Sequence, residues 1–96
     1  RVGFAASAAD APDVESLRRR VARDANDLEA RLQLANLSVA KEDYAAALDQ
    51  LLEIVRRDRA FRDDIARKTM LQVFGLLGNQ GELVSAYRKR LASAMY

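Results

Sequence analysis

The chain has 96 residues, half of them apolar, with 16 Lys plus Arg against 14 Asp plus Glu, one Pro, and no Cys, His or Trp. This composition excludes disulfides, thiol nucleophiles, ordinary zinc or haem sites and an imidazole base titrating near neutrality, and so argues against an enzyme. A net charge of +2, with acids interleaved among the cations as in Arg56-Arg57-Asp58-Arg59, cancels most of the long-range field that a nucleic-acid binder uses.

No apolar run approaches the roughly 18 residues of a membrane-crossing helix, so the chain reads as soluble. The lack of Cys fits the cytoplasm. Residues 1–9 are Ala-rich but lack the apolar centre of a signal peptide. With no initiator Met, they read as a flexible remnant of a longer protein, followed by one helical domain over 10–96.

From there the apolar period is helical almost throughout. A first helix is predicted over about 10–24, with Asp10 as its cap, Pro12 and Asp13 in its first turn, and Val14, Leu17 and Val21 as its apolar stripe. Asn26, with Glu29 three residues later, resembles a capping box and opens a second helix over about 27–40 that buries Leu28, Leu34, Ala35 and Leu37. Lys41-Glu42-Asp43 is a polar turn. A third helix over about 44–57 carries the strongest stripe of the chain: Tyr44, Ala47, Leu48, Leu51, Ile54 and Val55. Asp58 to Asp63 interrupts the pattern before a fourth helix over about 63–77, with Ile65, Met70, Val73, Phe74 and Leu77 inward. Gly78 can adopt the left-handed conformation that ends it. A fifth helix over about 82–95 carries Leu83, Val84, Tyr87, Leu91 and Met95.

Such short connections make consecutive helices antiparallel neighbours. Val21-Ala22-Arg23-Asp24 returns as Val55-Arg56-Arg57-Asp58 after 34 residues, the tetratricopeptide period. Leu34, Ala35, Ala47, Leu51 and Ile54 fall at that repeat's core positions, the two alanines allowing close helix approach. A shift of 36 places Leu34 on Met70, Leu51 on Tyr87 and Val55 on Leu91, giving a looser second copy over about 64–96. Ala25 and Arg59 replace the closing Pro, Glu42 replaces the turn Gly, and Leu71 replaces a small residue. The predicted fold is therefore all-α: a tetratricopeptide-like stack in which one orphan helix precedes two hairpins. An apolar edge on the orphan helix would be covered by a second copy, as a homodimer, or by residues 1–9.

Four segments carry a more specific resemblance: Tyr44-Ala45-Ala46-Ala47-Leu48-Asp49-Gln50-Leu51-Leu52-Glu53-Ile54, Arg67-Lys68-Thr69-Met70, Leu77-Gly78 and Tyr87-Arg88-Lys89-Arg90-Leu91. With their spacing, residues 24–96 resemble the C-terminal helical domain of the bacterial YbbN (CnoX) family, in which it follows a thioredoxin-like domain. The resemblance implies an interaction module of a co-chaperone that holds client proteins and passes them to GroEL or DnaK. No redox residue is carried over, because that chemistry belongs to the upstream domain, and no cofactor or metal is implied.

Repeats of this kind bind partners on the face of their first helices. Here that candidate face carries Glu29, Leu32, Asn36 and Val39 from one unit and Ile65, Lys68 and Gln72 from the next. Asn36 stands where some repeats grip a peptide backbone or terminal carboxylate, or it solvates the helix like Gln72. Leu32 occupies a place where a carboxylate clamp would want Lys. The runs Arg18-Arg19-Arg20, Arg56-Arg57 and Arg88-Lys89-Arg90 read as solvated faces, with a basic patch for an acidic partner as the alternative. Tyr44, Tyr87 and Tyr96 read as core or cap residues. Glu42-Asp43 and Asp63-Asp64 lie at hydrated turns without reason for the pKa displacement that acid–base catalysis needs. The competing readings are a generic tetratricopeptide scaffold without a chaperone role and, further off, a basic-surface nucleic-acid binder.

Overall fold

A computed structural model describes residues 13–95. Among the described residues are five helices: α1 (Val14–Arg23), α2 (Leu28–Ala40), α3 (Tyr44–Arg57), α4 (Ile65–Leu76) and α5 (Glu82–Met95). The architecture is an all-α helical stack. Helix α1 packs on α2, and α3 forms the hub, lying against α2, α4 and α5.

The starts of α1, α2 and α3 are fixed by carboxylates. Asp13 caps α1 by accepting the Ser16 N–H at 2.8 Å, so the described part of this helix begins after the first turn predicted from Asp10, which lies outside the described residues. Asp27, not Asn26, caps α2, accepting from Ala30 N at 3.1 Å. A charged carboxylate suits the positive helix end better than an amide, and Asp27 also receives both arms of Arg20, at 3.1 and 3.2 Å. Asn26 is used elsewhere, accepting Arg57 Nη1 at 2.7 Å and so tying the α1–α2 turn to the end of α3. Asp43 caps α3 through Ala46 N.

The main core gathers Leu32, Ala35, six residues of α3, Ala66, Met70, Val73 and Phe74 of α4, and Val84, Tyr87 and Leu91 of α5. A smaller cluster joins Leu17 of α1 to Ala30 and Leu34 of α2, with Val14, Val21 and Leu37 against it. The apolar stripe of α1 is thus spent on α2, and its outer side carries exposed Glu15, Arg18, Arg19 and Arg23. This corrects the expectation of an apolar edge there; the residues 1–9 expected to cover it lie outside the described residues. Leu28 and Leu37 are half-buried, whereas Leu32, assigned from sequence to the partner face, is only 6% exposed.

The two hairpins differ. Ala35 and Ala47 are fully buried, and α2 and α3 run in close backbone contact. At the same positions one repeat later stand Leu71 and Leu83, and α4 and α5 do not approach in this way. Two added isobutyl groups explain the difference, since a well-packed interface cannot absorb them without moving its helices.

The α3–α4 connection contains three successive left-handed residues, Arg62, Asp63 and Asp64, at φ 48°, 60° and 66°. Such backbone costs about 1–2 kcal/mol per non-glycine residue. Phe61, half-buried against the core, anchors this turn, and ion pairs Arg67–Asp64 at 2.6 Å and Lys68–Asp63 at 3.4 Å fasten it to α4. Helix α4 therefore begins at Ile65 rather than near 63. Gly78, at φ 78°, ends it in the expected left-handed conformation, followed by Asn79 at φ 57°.

Glu42, which replaces the turn Gly between α2 and α3, also stands at a positive φ, 62°. Its side chain makes no hydrogen bond to another described residue, so the residue carries backbone strain without compensation. Glu42→Gly should raise stability by about 0.5–1 kcal/mol, the strain relieved outweighing the entropy of the glycine in the unfolded chain. Thermal denaturation of the two proteins checks this.

Candidate protein-interaction surface

The residues predicted to face a partner are divided by the structure. Leu32 and Asn36 of α2 and Ile65 of α4 line one groove, joined by Arg62 and Thr69, around a cavity of about 310 Å³. Leu32 and Ile65 supply an apolar floor; Asn36 is exposed, and its amide makes no hydrogen bond to another described residue. Glu29 stands at one edge, accepting Arg62 Nη1 at 2.7 Å. This pair bridges α2 to the strained turn and holds Arg62 beside the groove. Val39 is half-buried against the core, Lys68 pairs with Asp63, and Gln72 is exposed; these three do not line the cavity. Thr69 was not among the residues expected on this face, although its place one turn after Ile65 is a spacing that could have found it. Arg62 had no periodic signal, because its position depends on the left-handed turn.

A second concavity opens between α4 and α5, with about 480 Å³ bounded by Leu71, Phe74, Leu91 and Met95 together with Arg67 and Arg88. Leu71 is 44% exposed and Leu76, near the end of α4, 63%. They are the large apolar side chains left in solvent among the described residues.

Of the cations in the basic runs, Arg20 and Arg57 have carboxylate partners among the described residues and the rest do not. Arg20 pairs with Asp27, Arg57 with Glu53, Arg62 with Glu29 and Arg67 with Asp64. Arg31 is part of the framework instead: it donates to Ala25 O at 2.9 Å and Gln50 Oε1 at 3.0 Å, and its partial burial lowers its pKa. Helix α5 has one acid, Glu82, and its Arg88, Lys89 and Arg90, like Arg18, Arg19 and Arg56, have no carboxylate partner among the described residues. Arg88 donates to Asn79 Oδ1 at 3.0 Å and lies 5.5 Å from the Phe74 ring centre; Arg90 lies 4.8 Å from that of Tyr87.

Tyr87 is buried and donates its hydroxyl to Asp49, locking α5 to the hub; Tyr44 packs half-buried on the core, and Tyr96 lies outside the described residues. Among the described residues, no cluster of His, Cys, Asp or Glu is placed to hold a metal ion, and no helix is long and apolar enough to cross a membrane.

Helical pairs in series, a 34–36 residue period and an open face along the first helices define a repeat scaffold that binds proteins. The sequence model of the tetratricopeptide repeat matches residues 7–96, and the chain belongs to that family. It is also similar to uncharacterized proteins of Mycobacterium bovis and of two strains of Mycobacterium tuberculosis, at 30% identity over 71 residues. The match covers 74% of this chain and 23% of each relative, so the chain spans about a quarter of their length. No solved structure matches it.

Two ionisable groups report on the packing. The Arg20 hydrogen bond, with the Ala30 N–H, holds the Asp27 carboxyl below its usual range, so its contribution is present above the unfolded value and lost as pH falls through the folded one. Burial first, then the bond to Asp49, pushes the Tyr87 phenol above its ordinary value of 10.0. Its contribution is therefore complete below pH 10 and lost as pH rises, because the unfolded chain ionises first. Tyr87→Phe should cost about 0.5–1.5 kcal/mol at neutral pH. It should also flatten the decline in stability above pH 10, which denaturant titrations at neutral and alkaline pH can compare.

Proposed function

We propose that this domain is the interaction module of a thioredoxin-fold co-chaperone of the YbbN (CnoX) type, acting in the cytoplasm. It holds client proteins or docks a chaperone of the GroEL or DnaK kind through the groove between α2 and α4. The observation that carries this reading is the composition of the groove: an apolar floor of Leu32 and Ile65 beside the uncommitted Asn36 amide. An apolar side chain of the ligand is buried on that floor, while Asn36 satisfies a backbone N–H or C=O that would otherwise lose water without replacement.

Arg62 supplies charge selection at the edge. It is already paired with Glu29, so a ligand carboxylate gains only by exchange with that acid. Leu32, in place of a Lys, also fits an apolar segment better than a terminal carboxylate. Binding is thus reversible burial of apolar surface with one or two directed hydrogen bonds, and involves no covalent step. The resemblance of residues 24–96 to the C-terminal domain of those co-chaperones supports the assignment of partners, with the thioredoxin-like domain lying upstream in the parent protein. A tetratricopeptide scaffold serving other partners through the same groove is the competing reading.

Thr69→Arg fills the groove from a half-buried position, and Asn36→Ala removes the amide from an exposed one. Capture of an unfolded client, measured by suppression of light scattering, and co-elution with GroEL or DnaK should each be tested. The proposal expects Asn36→Ala to weaken whichever interaction occurs by about tenfold, the worth of one hydrogen bond, and Thr69→Arg to abolish it without lowering the melting temperature. Absence of both interactions in the unaltered chain would leave the generic scaffold. Interactions indifferent to both substitutions would place the partner elsewhere on the domain.

A further inference from the structure

Helix α3 is covered by α2, α4 and α5, but the cleft between α4 and α5 has no covering element among the described residues. Its counterpart one repeat earlier is instructive. Ala35 is fully buried, whereas Leu71, 36 residues later, is 44% exposed. The second hairpin therefore presents apolar surface of a kind that the first hides, with Leu71 lining the open cleft. A long side chain at this position would be a poor way to close a hairpin, but it suits a cleft that receives side chains from outside.

We propose that the α4–α5 cleft binds an acidic amphipathic helix of another protein. Its leucine-type stripe would enter between Leu71, Phe74, Leu91 and Met95, and carboxylates at the stripe's edge would meet Arg88 and Arg67. This inference goes beyond the groove reading, since it concerns a different surface and a different ligand shape.

Charge selects the occupant. Arg88, with Lys89 and Arg90 beside it, has no carboxylate partner among the described residues, and nothing acidic follows Glu82 along α5 up to Met95. Arg67 keeps Asp64 at 2.6 Å, so Arg88 is the cation most available to a ligand. Two copies meeting through this cleft would bring these basic runs together. A head-to-tail copy would offer α1, whose exposed side carries Arg18, Arg19 and Arg23 against the single acid Glu15, to the same cations. Like-charge contact disfavours both arrangements, and an acidic helix meets both the apolar and the charged demand. The Phe74 ring already orients the Arg88 guanidinium, reducing the freedom lost when a carboxylate arrives.

The probe is a fluorescein-labelled peptide of about 14 residues, the length of α5, with blocked termini, leucines at helical i, i+3, i+4 and i+7 spacing, and glutamates flanking them. Fluorescence anisotropy against the 96-residue chain should show saturable binding, about tenfold weaker for Arg88→Glu, for Leu71→Asp, and for the same peptide with Gln in place of Glu. Arg88→Glu should recover binding to a Lys-flanked peptide. Both altered positions are exposed, and circular dichroism melts confirm that the variants fold; Leu71→Ala serves if Leu71→Asp does not. Thr69→Arg should leave this binding unchanged, which separates it from the groove. The proposal is overturned if the acidic peptide does not bind, if the Gln or Lys peptide binds the unaltered chain equally well, or if Arg88→Glu has no effect. It is equally overturned if sedimentation shows a dimer that Leu71→Asp dissociates, since the cleft would then belong to a second copy.

Discussion

The close approach of α2 and α3 is the constraint from which the other packing relations follow. Ala35 and Ala47 are both fully buried, and at these positions each helix offers the other a methyl group rather than a branched chain. With α2 held close on one side, α3 can bury Leu48, Leu51, Leu52, Ile54 and Val55 against α2, α4 and α5. Each such leucine or isoleucine is worth about 2–5 kcal/mol against truncation to alanine. A hub of this kind stabilises every other helix through one partner, so the fold does not require α4 and α5 to pack tightly on each other. That freedom lets the second hairpin stand open.

The groove is a consequence of the same arrangement. Helices α2 and α4 both rest on α3, at a separation set by the hub, and the turn between α3 and α4 fills part of the space. Three left-handed residues are an expensive way to build a turn, but they bring Arg62 to the side of Glu29 and place Phe61 against the core. Strained backbone persists only where its surroundings over-determine it. Here Asp63 and Asp64 are each tied to a cation of α4 one turn later, and Arg62 to an acid of α2.

Much of this was readable from residue spacing. Helix α3 is bounded as its stripe indicates, because Asp43 caps it and the apolar positions recur without interruption. Other features depended on competition between neighbours of similar type. Asn26 and Asp27 are both good caps; the charged one prevailed because Arg20 reaches it from α1, a contact between residues seven apart that no local rule supplies. Asp63 and Asp64 resemble helix-start acids, yet they adopt left-handed backbone and delay α4. Leu32 was expected on the face offered to a partner but not as a buried groove floor, since burial depends on α4 arriving opposite. Arg62 was invisible as a groove residue for the same reason. That Leu32, Asn36 and Ile65 come together was traceable because they recur at helical spacing on first helices; Val39, Lys68 and Gln72 share that spacing but do not line the groove.

The two copies of the repeat have diverged in opposite directions. The first keeps small residues at its helix contact and ties Arg57 to Glu53 and Glu29 to Arg62. The second replaces both small residues with leucine, leaves Leu71 and Leu76 in solvent and carries an unneutralised basic run on α5. Either change alone has an ordinary explanation, since isolated exposed leucines and solvated arginines are common on protein surfaces. Together on one hairpin they are harder to attribute to drift, because apolar exposure favours self-association while concentrated like charge opposes it. A surface combining the two is protected from its own copies and stays receptive to a partner of opposite charge. Packing fidelity in the first hairpin and relaxed packing in the second thus let one small core support two chemically distinct faces.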